Sequence, residues 1–141
     1  MSLTLQQANA VIGAALAKGG ELGLKPLSVA VLDSGGHLIA FARQDGASNM
    51  RPQIAVGKAS GALSMGVSSR RIGEMAVERP AFVNSLGQLA SAGIVAAAGG
   101  LIAVSADGAV QGAVGITGDS SDNDEICAIA GIAAAGLMVG P

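Results

Sequence analysis

Twice in this chain a β-branched apolar run meets a glycine-containing turn and is followed by a second apolar run. The first pair is Leu27-Ser-Val-Ala-Val-Leu32 and His37-Leu-Ile-Ala-Phe-Ala-Arg43, joined by Asp33-Ser-Gly-Gly36 and ended by Asp45-Gly46. The second pair is Leu101–Ser105 and Ala109–Ile116, joined around Asp107-Gly108, a signal for a two-residue turn. Runs joined by so short a connection pair antiparallel, because a parallel pair needs a crossover of about a dozen residues or more. Two hairpins interleaved with helices predict an α+β domain over 1–141: a mainly antiparallel sheet with helices packed on it.

The helices are marked by caps and by small-residue stripes. Thr4 with Gln7 forms a capping box, and Leu5, Ala8, Ile12, Ala15 and Leu16 recur at helical spacing until Gly19-Gly20. Residues 49–66 carry a stripe of Ala55, Ala59, Ala62 and Gly66 suited to close packing, and Lys58 interrupts the neighbouring stripe. Ser68-Ser69 caps a short helix to about Val77, and 82–92 reads as a further helix. Ile94–Ala98 reads as extended or irregular. Asp122 with Glu125 starts a last helix, with Ile126, Ile129, Ala130 and Ala133 as its buried face and Gly136 near its end.

Composition bears on what such a fold can bury. Half of the 141 residues are apolar, yet the only aromatics are Phe41 and Phe82, and glycine reaches 22. Small side chains bury little area each, at roughly 25 cal/mol per Å². Self-association would supply the missing buried surface. The net charge of −2 and a longest basic run of Arg70-Arg71 argue against a nucleic-acid partner. No continuous apolar stretch is long enough to span a membrane, and no leader pattern opens the chain. Cys127 is the only cysteine, so no intrachain disulfide forms and a reducing cytoplasm is the expected compartment.

Candidate chemistry is sparse, and a catalytic role is not the favoured reading. Gly112-Ala-Val-Gly115-Ile-Thr-Gly118 has glycines inside a strand rather than at a strand-to-helix turn, so it reads as close backbone packing. One His and one Cys cannot make a standard zinc site. Asp119, Asp122, Asp124 and Glu125 lack the spacing of a calcium loop and read as capping groups. In the first hairpin His37, Ile39, Phe41 and Arg43 share one face in a regular strand. A three-residue loop puts Asp33 opposite His37; a two-residue loop puts it on the other face. That pair reads either as a proton or ligand site or as a solvated turn, with turn chemistry favouring the second. Lys58 either binds an anion or extends its ammonium to solvent.

Several blocks resemble one family. Val29–Asp45, Ile54-Ala-x-x-Lys58-Ala59, Gly99-Gly100-Leu101 with Gly108-x-x-x-Gly112-Ala113-x-Gly115, and Gly118–Glu125 with Cys127-Ala128 are similar, in this order, to the GlcG/HbpS-like haem-binding family. That family includes the C-terminal domain of PduO-type corrinoid adenosyltransferases, whose transferase activity lies in a separate domain and is not carried over. The resemblance implies a five-stranded antiparallel sheet in a profilin-like three-layer arrangement. It also implies a homo-oligomer, from dimer to ring or octamer, with haem or a related tetrapyrrole as ligand. His37, Met50, Met65 and Cys127 are the side chains of iron-ligating type, with His37 the candidate axial ligand. Arg43, Arg51 and Lys58 are candidates for the propionates, and Asp33, Thr117, Asp124 and Glu125 complete the expected ligand-binding set. Two alternatives stand beside this. One is a catabolic enzyme or accessory protein acting on a polar or anionic metabolite, using Asp33, His37, Arg43, Lys58 and the backbone of Thr117–Ser121. The other is a purely structural assembly module.

Overall fold

Both hairpins form, and both close through three residues. The computed structural model describes residues 2–141. Strands β1 (Ser28–Asp33) and β2 (Leu38–Arg43) are joined where the Asp33 N–H donates to the His37 carbonyl at 2.9 Å and the Gly36 N–H to the Asp33 carbonyl at 3.0 Å. Strands β3 (Gly100–Val104) and β4 (Val110–Thr117) repeat the pattern with Ser105, Gly108 and Ala109, so the expected two-residue turn is one residue longer. The reason lies in Gly36 and Gly108, at φ 85° and 86°. Each supplies the left-handed residue that follows a type I turn in a three-residue hairpin loop.

A bulge follows the first turn. Leu32 pairs with Leu38, but Val31 pairs with Ala40, leaving Ile39 as an extra residue. Ile39 and Ala40 both pack into the same core cluster. The expected common face of His37, Ile39, Phe41 and Arg43 is therefore broken: His37 lies opposite Asp33, while Phe41 and Arg43 lie opposite Ala30 and Ser28, on the alternate set of β1 positions.

The hairpins join through their inner strands, β1 against β4. With a two-residue strand β5 (Met138–Val139) they make a five-stranded antiparallel sheet in the order β2-β1-β4-β3-β5. Helices α1 (Leu5–Glu21) and α5 (Ser121–Ala134) cover one face. There Ala8, Val11, Ala15, Cys127, Ala128 and Ile132 meet Val29, Val31, Val114 and Ile116. Helix α2 (Arg51–Met65) covers the other face, packing Ala59, Ala62 and Leu63 against Leu32, Ala113, Ile102 and Val104. The α3 (Ser69–Glu78) and α4 (Pro80–Leu86) helices follow it. The result is an α+β fold with three layers.

Helix ends show which local signals acted. The Thr4–Gln7 capping box is present. Helix α1 runs past Gly19-Gly20, because Gly19 serves packing: a Cβ there would lie 2.7 Å from Leu27 Cδ1. Gly23, at φ 67°, follows its end instead. Helix α4 starts at Pro80 and stops at Leu86, short of the expected 92. Helix α5 is capped by Ser120, whose hydroxyl accepts from the Asn123 N–H at 3.2 Å, rather than by Asp122. Its buried face is Asp124, Cys127, Ala128, Gly131 and Ile132. The expected core residues Ile126 and Ile129 are 41% and 45% exposed.

Helix α2 sits unusually close to the sheet. Gly100 and Gly115 are cross-strand partners beneath it. A Cβ on Gly115 would lie 1.9 Å from the Ala55 carbonyl oxygen, and one on Gly100 would lie 2.2 Å from that of Lys58. These strand glycines make room for the helix backbone, as the packing reading requires.

Candidate functional site

The hairpin end and the opposite end of β1 hold different chemistry. Ser28 pairs with both Arg43 and Thr117, so these three residues form one row across β2, β1 and β4. Thr117 is buried, and its hydroxyl accepts from Arg51 Nη1 at 2.7 Å. Ser28 Oγ is buried without a hydrogen-bond partner. Arg51 is half-buried at the first position of α2, and its Nε also donates to Ser48 Oγ at 3.2 Å. Among the described residues it has no carboxylate partner.

Beside this row lies a buried ion pair. Lys58 Nζ donates to Asp124 Oδ2 at 3.2 Å and to the Ile116 carbonyl at 2.9 Å. Asp124 Oδ1 accepts from the Asp119 N–H at 3.0 Å. Burial pushes the Lys58 ammonium below its usual range, with Asp124 opposing the shift. Burial likewise raises the Asp124 carboxyl, opposed by the Asp119 amide and by Lys58. A Cβ on Gly99 would lie 2.9 Å from Lys58 Nζ, so this glycine leaves space for the ammonium. Lys58 is thus turned inward rather than extended to solvent.

Asp119 fastens the loop above. It accepts from the Lys25 N–H at 3.1 Å, the Ser120 N–H at 2.8 Å and Asn123 Nδ2 at 2.8 Å. The Asn123 amide and then the Ser120 N–H bring its pKa down to about 2. Glu125 points away from the pair, to Arg70 on α3 at 3.1 Å. Among the described residues no group of three or more His, Cys, Asp and Glu is placed to hold a metal ion.

One open apolar surface is at the start of α2. A depression of about 440 Å³ is lined by Asn49, Met50, Gln53, Ile54 and Val95. Met50 is the N-cap residue of α2 and is 67% exposed.

The sequence-expected residues therefore fall into separate places. Lys58, Thr117 and Asp124 gather at one end of the sheet, and Arg43 belongs to the same row, exposed and donating to the Ala47 carbonyl at 3.2 Å. Asp33 and His37 stand at the other end of β1, five residues or about 17 Å away at ~3.4 Å per residue. The Asp33 carboxylate accepts from the backbone N–H groups of Gly35 and His37 and lies 3.3 Å from His37 Nδ1. The His37 amide is the main cause that holds this carboxyl below its usual range. His37 itself is 81% exposed. Met65 lines a smaller recess with Leu86, Leu89 and Ile94. Cys127 is fully buried, and burial raises its thiol pKa. Ser28 was not singled out from sequence; the only signal was one hydroxyl within an apolar strand run.

A family model described as haem degrading protein HbpS-like matches residues 3–133. The chain belongs to the HbpS-like family. This HbpS-like chain is 30% identical to a double mutant of Streptomyces reticuli HbpS, with a TM-score of 0.81 over 94% of this chain and 86% of that one. The Klebsiella pneumoniae protein ORFY is 25% identical, with a TM-score of 0.84 over 94% of this chain and 90% of that one. PduOC, solved as a haem complex, is 23% identical with a TM-score of 0.87 over 100% of both chains, a likeness of fold. No curated protein matches the HbpS-like chain. Among the described residues, no helix is long and apolar enough to cross a membrane.

Proposed function

We propose that this chain is a homo-oligomeric binding protein for haem or a related tetrapyrrole, held at the start of α2. The observation that carries the reading is an apolar depression at the start of α2, with a half-buried cation at the next residue after Met50. Met50, Ile54 and Val95 offer the apolar wall. Arg51, the next residue, presents a guanidinium with no carboxylate partner among the described residues. A tetrapyrrole has this same division, a broad apolar ring with carboxylates at one edge. The size lies within the range of small-molecule sites, about 300–1,000 Å³. Membership of the HbpS-like family and the fold shared with the PduOC haem complex support the choice of ligand.

In this reading Ile54 and Val95 exclude water from the ring, and Arg51 binds a propionate. Thr117 fixes the guanidinium in place, and the Lys58–Asp124 pair ties α2 to the start of α5 behind it. Bound haem would supply an iron centre. Self-association is supported by α5, where Ile126, Ile129 and Ala133 form an exposed stripe at helical spacing. A second copy seated there would bury the apolar area that small core residues leave unburied.

The test is titration of the purified protein with ferric haem, read by absorbance, with sedimentation equilibrium on the same sample. A saturable Soret shift, weakened by Ile54→Glu in a protein that still folds, is expected, together with a mass above that of one chain. An oligomer with no Soret shift at micromolar haem would leave the structural-module reading in its place.

A further inference from the structure

We infer that the Met50 thioether is the side chain that ligates the iron; this rests on the tetrapyrrole reading above and assigns the ligand within it. Met50 has helical backbone angles, φ −86° and ψ −8°, and makes no side-chain capping bond. Ser48 serves the helix start instead: its carbonyl accepts from the Arg51 N–H and its hydroxyl from Arg51 Nε, both at 3.2 Å. The long apolar side chain of Met50 is 67% exposed and lines the apolar depression.

Placement separates Met50 from the other iron-ligating side chains. Cys127 is fully buried beneath α1. Met65 ends α2 and opens into a different recess; fifteen residues of helix separate it from Met50, about 22 Å at ~1.5 Å per residue. His37 lies at the far end of β1, beside Asp33. Met50 alone of the four lines the depression. Its sulfur is a recognised haem ligand that raises the reduction potential, and Arg51 beside it supplies the charge for a propionate.

The experiment compares the full chain with Met50→Leu and His37→Ala after loading with ferric haem. Leucine keeps the apolar bulk, and the exposed position leaves folding intact, checked by circular dichroism. The readouts are the far-red sulfur-to-iron charge-transfer band and the midpoint potential. The expected result is that the band is present in the parent and in His37→Ala. In Met50→Leu it is lost and the potential falls, while a Soret shift persists. A parent that binds haem without that band, or a band that survives in Met50→Leu, overturns the ligand assignment and leaves the binding reading standing. A parent that shows no Soret shift overturns both.

Discussion

Lys58 Nζ lies 3.2 Å from Asp124 Oδ2, and the two side chains are only 3% and 1% exposed. The pair joins the middle of α2 to the first turn of α5 across the end of β4. Removing one partner leaves the other charged and buried, which costs about 3–5 kcal/mol. Lys58→Met or Asp124→Leu alone is therefore expected to destabilise by that amount. The double substitution is expected to recover most of the loss, because a well-packed apolar pair escapes the burial cost of two ions. Urea unfolding of the four proteins measures this, and purely additive losses would refute the coupling.

The seam between α2 and the sheet predicts opposite outcomes for two glycines. Gly115→Ala forces a methyl to within 1.9 Å of the Ala55 carbonyl oxygen, so the helix must lift from the sheet. A loss of about 3 kcal/mol or more is expected, at the upper end for overpacking. Gly13, exposed in α1, has nothing within 4 Å of where an added methyl would sit. Gly13→Ala is expected to stabilise by about 0.5–1 kcal/mol through helix propensity. Thermal melts of both variants decide it.

Acid should loosen the loop that Asp119 fastens. Its folded pKa of about 2 lies below the ordinary 3.8, so the folded state favours the carboxylate. The stabilisation is complete above 3.8 and is lost as pH falls from there through about 2. Asp119→Ala is expected to lower stability near neutrality and to flatten the dependence over that interval. Identical acid slopes for the parent and the variant, in thermal unfolding across pH, would contradict the role given to this carboxylate.

Arg51→Gln tests the polar half of the ligand site. Hydrogen bonds to charged groups are worth about 1.5–3 kcal/mol, so haem affinity should fall about tenfold or more. Thr117→Val keeps the guanidinium but removes its anchor, and a smaller loss is expected. Absorbance titration of both variants gives the ratio, and an unchanged affinity in Arg51→Gln would remove this residue from the site.

The fold was legible wherever one local signal acted alone. Thr4 and Gln7 marked the start of α1, Gly112 and Gly115 announced close packing, and the turn residues announced both hairpins. Where two physical demands met at one residue, the reading slipped. Gly19 has the look of a helix stop but serves contact with Leu27. Asp122 has the look of a cap, while Ser120 makes the bond. Ile126 and Ile129 fit a buried stripe by spacing, yet the sheet receives Cys127, Ala128 and Ile132. The two residues of β5 pair only with Ala103 and Val104, too short a run for any alternation to show. At the candidate site, the charge of Lys58 was visible in sequence. Its partner was not fixed, because Asp124 lies 66 residues away and meets it only through the sheet.

The glycine floor under α2 also decides which wall of the depression can yield. With Ala55 and Lys58 resting their carbonyls over Gly115 and Gly100, the helix is seated like a beam on its bearings and has no slack beneath it. The opposite wall is the irregular segment carrying Val95, which meets α2 through a long 3.3 Å backbone bond to the Gly57 carbonyl. Any widening of the depression is therefore expected to come from that strap rather than from the helix, read as faster amide exchange at Val95 than within α2.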